Sequence, residues 1–151
     1  MPDEIKPVAQ NKKAYHDYYV LETYEAGIEL FGTEVKSVRK GKINLRDSWC
    51  SIDNGEIFAC HTHISPYEQG NIFNRDPMRK KRLLMHKREI NRLFAKVKQD
   101  GLTIVPLSVY FLKGRAKMEI GLCKGKKNYD KRESEALRSA KRDIERGLRQ
   151  K

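Results

Sequence analysis

The chain has 151 residues, the length of one ordinary domain with some residues to spare. Hydrophobic residues make up 38% and charged residues 34%, which allows one modest core and leaves part of the chain outside it. No stretch approaches the roughly 20 apolar residues of a membrane-spanning helix, and a net charge of +12 favours nucleic acid, an anionic membrane surface or an acidic protein as partner.

Residues 1–13 and the segment after them form the first predicted elements. Two prolines and mixed charges in residues 1–13 are typical of a flexible N-terminal arm. The segment YHDYYVLETYEAGIEL (15–30) is rich in residues that favour strands. Because Gly27 interrupts it, we predict two strands joined by a bend at Gly27.

A short helix and a hairpin come next. FGTEVKSVRKG predicts a helix that Thr33 can cap and Gly41 can close. In SWCSIDNGEIFAC, two β-prone runs flank Asn54-Gly55, a pair that readily takes the positive φ values of a tight hairpin turn. The segment ISPYEQGNIFNRDP (64–77) has no period and is predicted to be a long irregular loop.

A helical period returns between Arg79 and Lys98. Apolar residues recur there at helical spacing and would form one buried face, and Gly101 is placed to end the helix. The members of this face are Ile90, Leu93, Phe94 and Val97.

The last strong pattern is a second hairpin. LTIVPLSVYFL (102–112) and RAKMEIGLC (115–123) flank the turn residues Lys113-Gly114, and Pro106 indicates an edge or a bulge in the first run. Several strands with short turns and two inserted helices predict a mainly β, α+β fold: a small closed or partly closed antiparallel barrel with a basic tail.

The predicted tail, residues 124–151, holds 11 Lys and Arg against 5 Asp and Glu, and so carries half of the net charge. Arginines spaced along one helix face repel one another, and the apolar stripe beside them is thin. We therefore expect a barrel domain at 1–123 and a tail that is disordered when free and helical when bound; a merely solubilising tail is the alternative. The arginines of this face are Arg138, Arg142, Arg146 and Arg149.

A basic run opens the segment between Arg79 and Lys98, which holds nine cations against the single acid Glu89. A solvated helix face is the ordinary explanation of such a run. The imbalance favours phosphate contact, because phosphates relieve the repulsion. The run consists of Arg79, Lys80, Lys81 and Arg82.

Enzymatic and metal-binding functions find little support. His16-Asp17 would suit acid–base chemistry in a small ribonuclease, but no spacing requires it, and no P-loop, GxSxG or HExxH motif is present. In a strand, His61 and His63 would share a face opposite Cys60, so zinc ligands would not converge. The sequence favours a non-enzymatic RNA-binding protein without metal or cofactor; a structural ribosomal protein is a further alternative.

Cysteine usage bears on location. The chain has three cysteines, an odd number without a close pair, so we expect reduced thiols. The first 13 residues contain no apolar stretch typical of a signal peptide. We therefore expect a cytoplasmic protein without a membrane partner. The cysteines are Cys50, Cys60 and Cys123.

Several ordered segments occur in the same order in a known family. They run from NKKAYHDY (11–18) through GTEVKSVRKGKINLRDS and DPMRKKRLLMHKREI to KGKKNYDKRE (124–133). Through them the chain resembles the small protein B (SmpB) family, partners of transfer-messenger RNA (tmRNA, or SsrA RNA) in bacterial trans-translation. The resemblance implies an oligonucleotide-binding-type barrel that grips the tRNA-like domain of tmRNA, replaces the missing anticodon arm, and is delivered to stalled ribosomes with elongation factor Tu.

The resemblance also implies two sets of functional residues. The RNA-contacting positions of the family match Asn11, Lys12, His16, Glu25, Leu84 and His86, to which we add the basic run. The tail positions that work in the small-subunit decoding centre and mRNA channel match Gly125, Lys126, Lys127, Tyr129, Asp130, Lys131 and Arg132, to which we add Arg138, Arg142 and Arg146.

Overall fold

The computed structural model describes residues 4–68 and 74–149. Nine strands and four helices are present within these ranges. In chain order they are β1 (Ile5–Gln10), α1 (Lys12–Asp17), β2 (Tyr18–Ile28), α2 (Gly32–Arg39), β3 (Ile43–Asn44), β4 (Trp49–Asp53), β5 (Glu56–Cys60), β6 (His63–Ile64), β7 (Lys81–Leu84), α3 (Lys87–Asp100), β8 (Thr103–Leu112), β9 (Arg115–Gly125) and α4 (Asn128–Arg149).

Six antiparallel strands form a ring in the order β8-β4-β5-β7-β2-β9, which closes because β9 pairs with β8. Strand β1 pairs with the second half of β8, and β3 and β6 form a separate small sheet. This ring is barrel-like, and the predicted mainly β fold with inserted helices is confirmed. Closure leaves few unpaired strand edges.

The core lies inside the ring and beneath α2 and α3. Ile57, Val109 and Ile120 of the strands are fully buried there, together with Val38 of α2 and Leu93 of α3. A smaller cluster of Ala14, Val105, Leu107 and Cys123 holds α1 against β8 and β9. These contacts hold on the barrel both α1, which carries Lys12 and His16, and α3, whose N-cap is His86.

Both predicted hairpins are confirmed. Asn54 and Gly55 turn between β4 and β5 with φ of 50° and 76°, and Lys113 and Gly114 turn between β8 and β9 with φ of 53° and 75°. The pairing register shifts after Pro106, as a bulge at that proline requires. The predicted short helix is also present, as α2.

The N-terminal arm differs from the prediction of a flexible segment. Strand β1 pairs with β8 from Ile5 opposite Leu112 to Gln10 opposite Ser108. Only the first half of β8 pairs with β4, so β1 covers the edge that remains. A proline is tolerated in such a flanking strand, and the register shifts just after Pro7.

The segment 15–30 also differs from the prediction of two strands with a bend at Gly27. A short helix, α1, comes first, and β2 then runs unbroken through Gly27. A Cβ at Gly27 would lie 3.3 Å from the Cβ of Leu84 on β7. At this position glycine therefore allows β2 and β7 to approach closely, and it does not form a bend.

The helix predicted from Arg79 begins only at Lys87 and ends, as predicted, at Gly101, which has a φ of 63°. The preceding residues form β7, in which Lys81 and Leu83 are buried and Arg82 and Leu84 are exposed. The alternation of buried and exposed residues in β7 was not recognisable in the sequence, because lysine normally indicates a solvent-facing position and Lys81 is buried.

The barrel extends slightly beyond the predicted boundary, since β9 continues to Gly125, opposite Tyr18 of β2. Helix α4 occupies most of the predicted tail. Disorder of this segment in the free protein stays a prediction, and residues 150–151 lie outside the described ranges. No helix in the described part of the chain is long and apolar enough to cross a membrane.

Candidate nucleic-acid interface

The predicted RNA-binding residues fall into two groups at opposite ends of β2. Tyr18, next to α1, pairs with Gly125, whereas Gly27 pairs with Leu84. Nine residues of strand separate the two ends by roughly 30 Å at about 3.3 Å per residue. We call the group around Leu84 the β2–β7 concavity and the exposed side of α1 the α1 surface.

The β2–β7 concavity brings together Glu25, Leu84 and His86, three of the positions that the family resemblance predicts to contact RNA. Its volume is about 440 Å³, and β2, β7, β9 and the start of α3 contribute to its walls. Polar, cationic and apolar groups all line it. Its charged members are Glu25, Glu56, Arg82, Lys87, Glu89 and Lys117, and Leu84 and His86 also line it.

The side chain of Leu84 and the N-terminus of α3 lie next to each other in this concavity. Leu84 is 49% exposed and so offers an uncovered apolar surface. His86 is the N-cap of α3, and its backbone N–H donates to Glu89 Oε1 at 3.4 Å, which fixes the first turn while the imidazole stays exposed. Unpaired N–H groups and the dipole at a helix N-terminus favour an anion such as phosphate.

The carboxylate of Glu25 is held in place on the outer face of the barrel. Glu25 lies directly opposite Glu119 in the β2–β9 ladder, an arrangement in which like charges repel. The hydroxyl of Tyr110 donates a hydrogen bond to Glu25 and relieves part of this cost. Burial, followed by the hydrogen bond to Glu25, raises the pKa of Tyr110 above its usual value, so the hydroxyl remains a donor.

Lys81 of the basic run does not reach the surface, and its prediction as an RNA contact is wrong. The residue is only 1% exposed. Its Nζ donates to the backbone carbonyl oxygens of Thr62 and Pro77, the latter at 3.1 Å. Burial lowers the pKa of Lys81 to about 8. Its role is to join β7 to the loop that precedes it.

The other cations of the basic run reach solvent, although each has an acidic partner. Arg79 Nη2 lies 2.6 Å from the buried Glu34 and serves largely as a structural link. Lys80 lies 3.3 Å from Asp53. Arg82 contacts Glu29 and Glu56 at 3.4 and 3.6 Å. Exposed pairs of this kind are weak, so Lys80 and Arg82 can exchange their carboxylates for phosphates.

Asn11 has a structural role in the free protein, and its contact with RNA stays a prediction. It is buried, and its Oδ1 accepts from the backbone N–H of Ala14 as the N-cap of α1. Its Nδ2 donates to Leu45 O at 3.1 Å and to Pro106 O at 2.9 Å. Both polar atoms of the Asn11 side chain are hydrogen-bonded within the protein, whereas the neighbouring Lys12 is exposed on the α1 surface.

His16 on the α1 surface links the barrel to α4. Its Nδ1 lies 2.9 Å from Asp17 Oδ1, and its Nε2 lies 2.7 Å from Glu135 Oε1. Asp17 also lies 3.7 Å from Lys131 Nζ. Although partial burial opposes it, the hydrogen bond from His16 and the charge of Lys131 lower the pKa of Asp17 below its usual value.

The predicted tail residues begin at this junction. The Lys126 amide donates to Asp17 O at 2.9 Å, and its Nζ donates to Tyr15 O at 3.2 Å. Asp130 accepts from the Lys127 amide at 3.3 Å, which helps to start α4. Arg132, Arg138 and Arg142 are exposed along α4. The side chains of Tyr129 and Arg146 lie outside the described part of the structure.

The Cys60–His63 segment is not one strand, so the predicted alternation of its side chains is wrong. Strand β5 ends at Cys60, and His61 has a φ of 60° and stacks on Trp49 with a ring-centroid distance of 5.6 Å. Among the described residues, no three His, Cys, Asp or Glu side chains are placed to hold a metal ion. Burial raises the pKa of the Cys123 thiol to about 11.

Tyr110 and Lys117 were missed by sequence reasoning. They pair with each other across the second hairpin, next to the β2 segment that carries Glu25. The alternation of that hairpin places both on the outer face, but only the pairing of β9 with β2 brings them to Glu25.

Comparison with known proteins identifies the family. Residues 8–150 match the family model described as SmpB protein. The chain belongs to the SmpB family. It is 59% identical to the SsrA-binding protein of Clostridium novyi, over 95% of this chain and 92% of that protein. It is 62% identical to the SsrA-binding protein of Carboxydothermus hydrogenoformans, over 95% of this chain and 97% of that protein.

The three-dimensional structure of this chain is also similar to a solved structure. It is described as "tmRNA-SmpB: a journey to the center of the bacterial ribosome". The two chains superpose with a TM-score of 0.68 at 52% identity, over 81% of this chain and 86% of the other. The family resemblance predicted from the sequence is therefore confirmed.

Proposed function

We propose that this SmpB-family chain is a non-enzymatic adaptor that binds the tRNA-like domain of tmRNA and delivers it to stalled ribosomes. The β2–β7 concavity is the observation that carries the proposal, because it joins Glu25, Leu84 and His86 in one exposed site. The names of the SsrA-binding relatives and the tmRNA–SmpB neighbour support RNA as the ligand.

Within the concavity, apolar and polar groups have separate tasks. Leu84 packs against the face of an unpaired base, and the Glu25 carboxylate accepts a hydrogen bond from an exocyclic amino group or orients a neighbouring cation. Arg82, Lys87 and the start of α3 contact phosphates on either side. Three cations and three acids line the concavity; in this proposal the cations supply affinity, and Glu25 supplies a specific hydrogen-bond acceptor.

The α1 surface extends the interface along the barrel. Lys12 is exposed there, and His16 is partly exposed. A site at each end of β2, roughly 30 Å apart, matches an extended RNA element better than a small ligand. The barrel then stands in the place of the absent anticodon arm, and elongation factor Tu joins the delivery complex.

Helix α4 is proposed to act at the ribosome. Its exposed arginines, including Arg138 and Arg142, can pair with phosphates in the decoding centre and the empty mRNA channel of the small subunit. The contacts of Lys126 and Lys131 with α1 fix where α4 leaves the barrel.

The test compares two exposed leucines in the full-length protein. Leu84 lies in the concavity, whereas Leu137 is 73% exposed on α4 and serves as the matched control. Leu84→Ala should weaken binding of a labelled tRNA-like-domain RNA by about tenfold, since burying a leucine side chain at an interface contributes about 1.5–3 kcal/mol. Leu137→Ala should bind like the unchanged protein. Equal affinities of the two variants would reject the concavity as the site.

The RNA-binding experiment also separates the adaptor from a ribonuclease, and a count of copies per ribosome separates it from a structural ribosomal protein. The shifted RNA should remain intact on a denaturing gel, whereas a small ribonuclease would cut it. A structural ribosomal protein would be present at one copy per ribosome in cells, which quantitative mass spectrometry measures directly.

A further inference from the structure

The outer face of strands β1, β8, β9 and β2 forms an acidic concavity, which we call the Glu119 face. Its volume is about 480 Å³, and each of the four strands contributes to its lining. Its charged members are Glu25 and Glu119, and no described Lys or Arg lines it. On a chain with a net charge of +12, such a face favours a cationic partner and disfavours RNA.

The two carboxylates of the Glu119 face differ in the support that the chain gives them. Glu25 lies directly opposite Glu119 in the β2–β9 ladder. The Tyr110 hydroxyl donates a hydrogen bond to Glu25, whereas Glu119 forms no hydrogen bond or ion pair with any described residue. A cationic partner would therefore remove a repulsion that the chain by itself leaves in place.

Apolar side chains lie beside these carboxylates. Ile5 of β1 is 54% exposed, although it lines the concavity together with Pro7 and Ala9. The Glu119 face thus combines a carboxylate pair with uncovered apolar surface. A protein segment that carries cations next to an apolar side chain fits both parts.

Helix α4 carries such a segment, which we call the Arg138 face. Leu137 is 73% exposed, and Arg138, Lys141 and Arg142 are exposed beside it. At 3.6 residues per turn, these four side chains fall within about 140° of the helix circumference and so form one face. None of the three cations has a carboxylate partner among the described residues.

The two faces match in spacing as well as in charge. Arg138 and Arg142 are four residues apart on a helix, so their Cβ atoms are about 5 to 6 Å apart. The Cβ atoms of Glu25 and Glu119, directly opposite each other in a sheet, are separated by about 5 Å. Each guanidinium can therefore pair with one carboxylate.

The matching faces do not meet within one chain. Helix α4 is joined to α1 by Lys131 and Glu135, and no described residue of α4 lines the Glu119 face. A second copy of the chain offers the same Arg138 face without this restriction.

We propose that two copies of this chain associate by exchanging α4, so that the Arg138 face of each copy occupies the Glu119 face of the other. The exchange is reciprocal, and it gives a closed two-fold dimer. The net charge of each copy opposes association, but this repulsion is screened beyond about 8 Å at 0.15 M salt, whereas the paired groups are in contact. The dimer covers the cations of α4 while RNA is absent.

Sedimentation equilibrium of the full-length protein tests the association. The unchanged chain should show a reversible monomer–dimer equilibrium. Glu119→Arg, and separately the pair Arg138→Glu and Arg142→Glu, should weaken it by roughly tenfold or more, because like charges are brought into contact. Glu68→Arg makes the same change of charge at an exposed position outside the concavity and should dimerise like the unchanged protein. A monomeric unchanged chain at every soluble concentration would reject the proposal.

A mixture of the two weakened variants gives a result that a folding defect cannot imitate. In the mixed pair, the reversed Glu119 face of one variant meets the reversed Arg138 face of the other, and the two unchanged faces also meet. A heterodimer should therefore form with about the affinity of the unchanged dimer. Its absence would show that these faces are not partners.

Carbodiimide coupling, which joins a carboxylate directly to a lysine amine, identifies the residues in contact. In a mixture of isotope-labelled and unlabelled chains, Glu25 or Glu119 of one chain should be joined to Lys141 of the other. Products confined to single chains would show that α4 folds back on its own barrel, which would also reject the exchange. The dimer does not depend on the proposed function, which Leu84→Ala tests separately, so either proposal can fail alone.

Discussion

His16 on α1 and Glu135 on α4 are 119 residues apart in the sequence, yet His16 Nε2 lies 2.7 Å from a carboxylate oxygen of Glu135. The same α1 surface is proposed to contact RNA. His16 therefore has a protein partner that RNA must displace or share. If RNA occupies the α1 surface as proposed, this contact would couple that occupancy to the position of α4.

Replacing Glu135 with Gln should loosen α4 and leave RNA binding intact. The contact is partly exposed, and such pairs contribute about 0.2–1 kcal/mol, so amide hydrogen exchange in the first turns of α4 should accelerate by roughly 1.5- to 5-fold. RNA affinity should be unchanged or rise slightly, because a carboxylate that competes for His16 is removed. Weaker RNA binding in Glu135→Gln would contradict the competition.

Glu25→Ala should weaken binding of the tRNA-like domain by roughly 1–3 kcal/mol, because a hydrogen-bond acceptor within the concavity is lost. Tyr110→Phe should have a smaller effect in the same direction, since Tyr110 orients the carboxylate through its hydroxyl. The double variant should lose no more than Glu25→Ala alone. Isothermal titration of the three variants measures this, and tighter binding by Glu25→Ala would rule out the acceptor role.

A chain that ends after Lys127 should bind the tRNA-like domain within a few-fold of the full-length affinity. The cut is placed there because β9 continues to Gly125, opposite Tyr18, and a cut after Cys123 would remove strand residues. Filter binding of both chains to the same RNA gives the comparison. If the shortened chain folds but no longer binds, the barrel is not the principal RNA-binding unit.

Replacing Asp130, Lys131 and Arg132 together with Ala should abolish peptide tagging on stalled ribosomes and leave binding to free RNA nearly intact. Asp130 starts α4, and Lys131 joins it to Asp17, so the substitutions disturb the direction in which α4 leaves the barrel. RNA affinity and tagging are measured on the same preparation. A parallel loss of both would show that this segment is another RNA-gripping surface, and full tagging would show that it is dispensable.

Lys81 predicts a measurable dependence of stability on pH. Burial lowers its pKa from 10.5 to about 8, so between these values the unfolded chain binds a proton that the folded chain has released. Stability conferred by this group therefore rises with pH in that window. Between pH 7 and pH 9, the free energy of unfolding of the unchanged protein should rise by about 1–2 kcal/mol more than that of Lys81→Met. Urea unfolding at the two pH values measures this difference. Parallel curves for the two proteins would contradict a lowered pKa.

Local patterns in the sequence determined much of the barrel. The Asn54-Gly55 and Lys113-Gly114 turns were predictable because few residues adopt positive φ at low cost, and both lie between β-prone runs. The end of α3 at Gly101 follows from the same physics. The prediction that Glu25, Leu84 and His86 contact RNA came from resemblance to the SmpB family, and the structure placed the three in one concavity.

Tertiary structure decided which cations and polar groups reach the surface. Lys81 and Asn11 look like RNA contacts in the sequence, but carbonyl groups from distant loops and strands satisfy their donors inside the protein. Gly27 looks like a bend in the sequence, but it lies within β2, where the close approach of Leu84 on β7 favours a residue without a side chain.

The link between α1 and α4 is also a tertiary result. His16 and Glu135 carry no sequence signal of their contact, because it arises only when β9 pairs with β2 and brings the start of α4 to the end of α1. Spacing along a chain reports local conformation, whereas burial and long-range pairing depend on how the elements close into the barrel. The sequence thus determined the turns and the family of this protein, whereas the fold determined which distant residues contact one another.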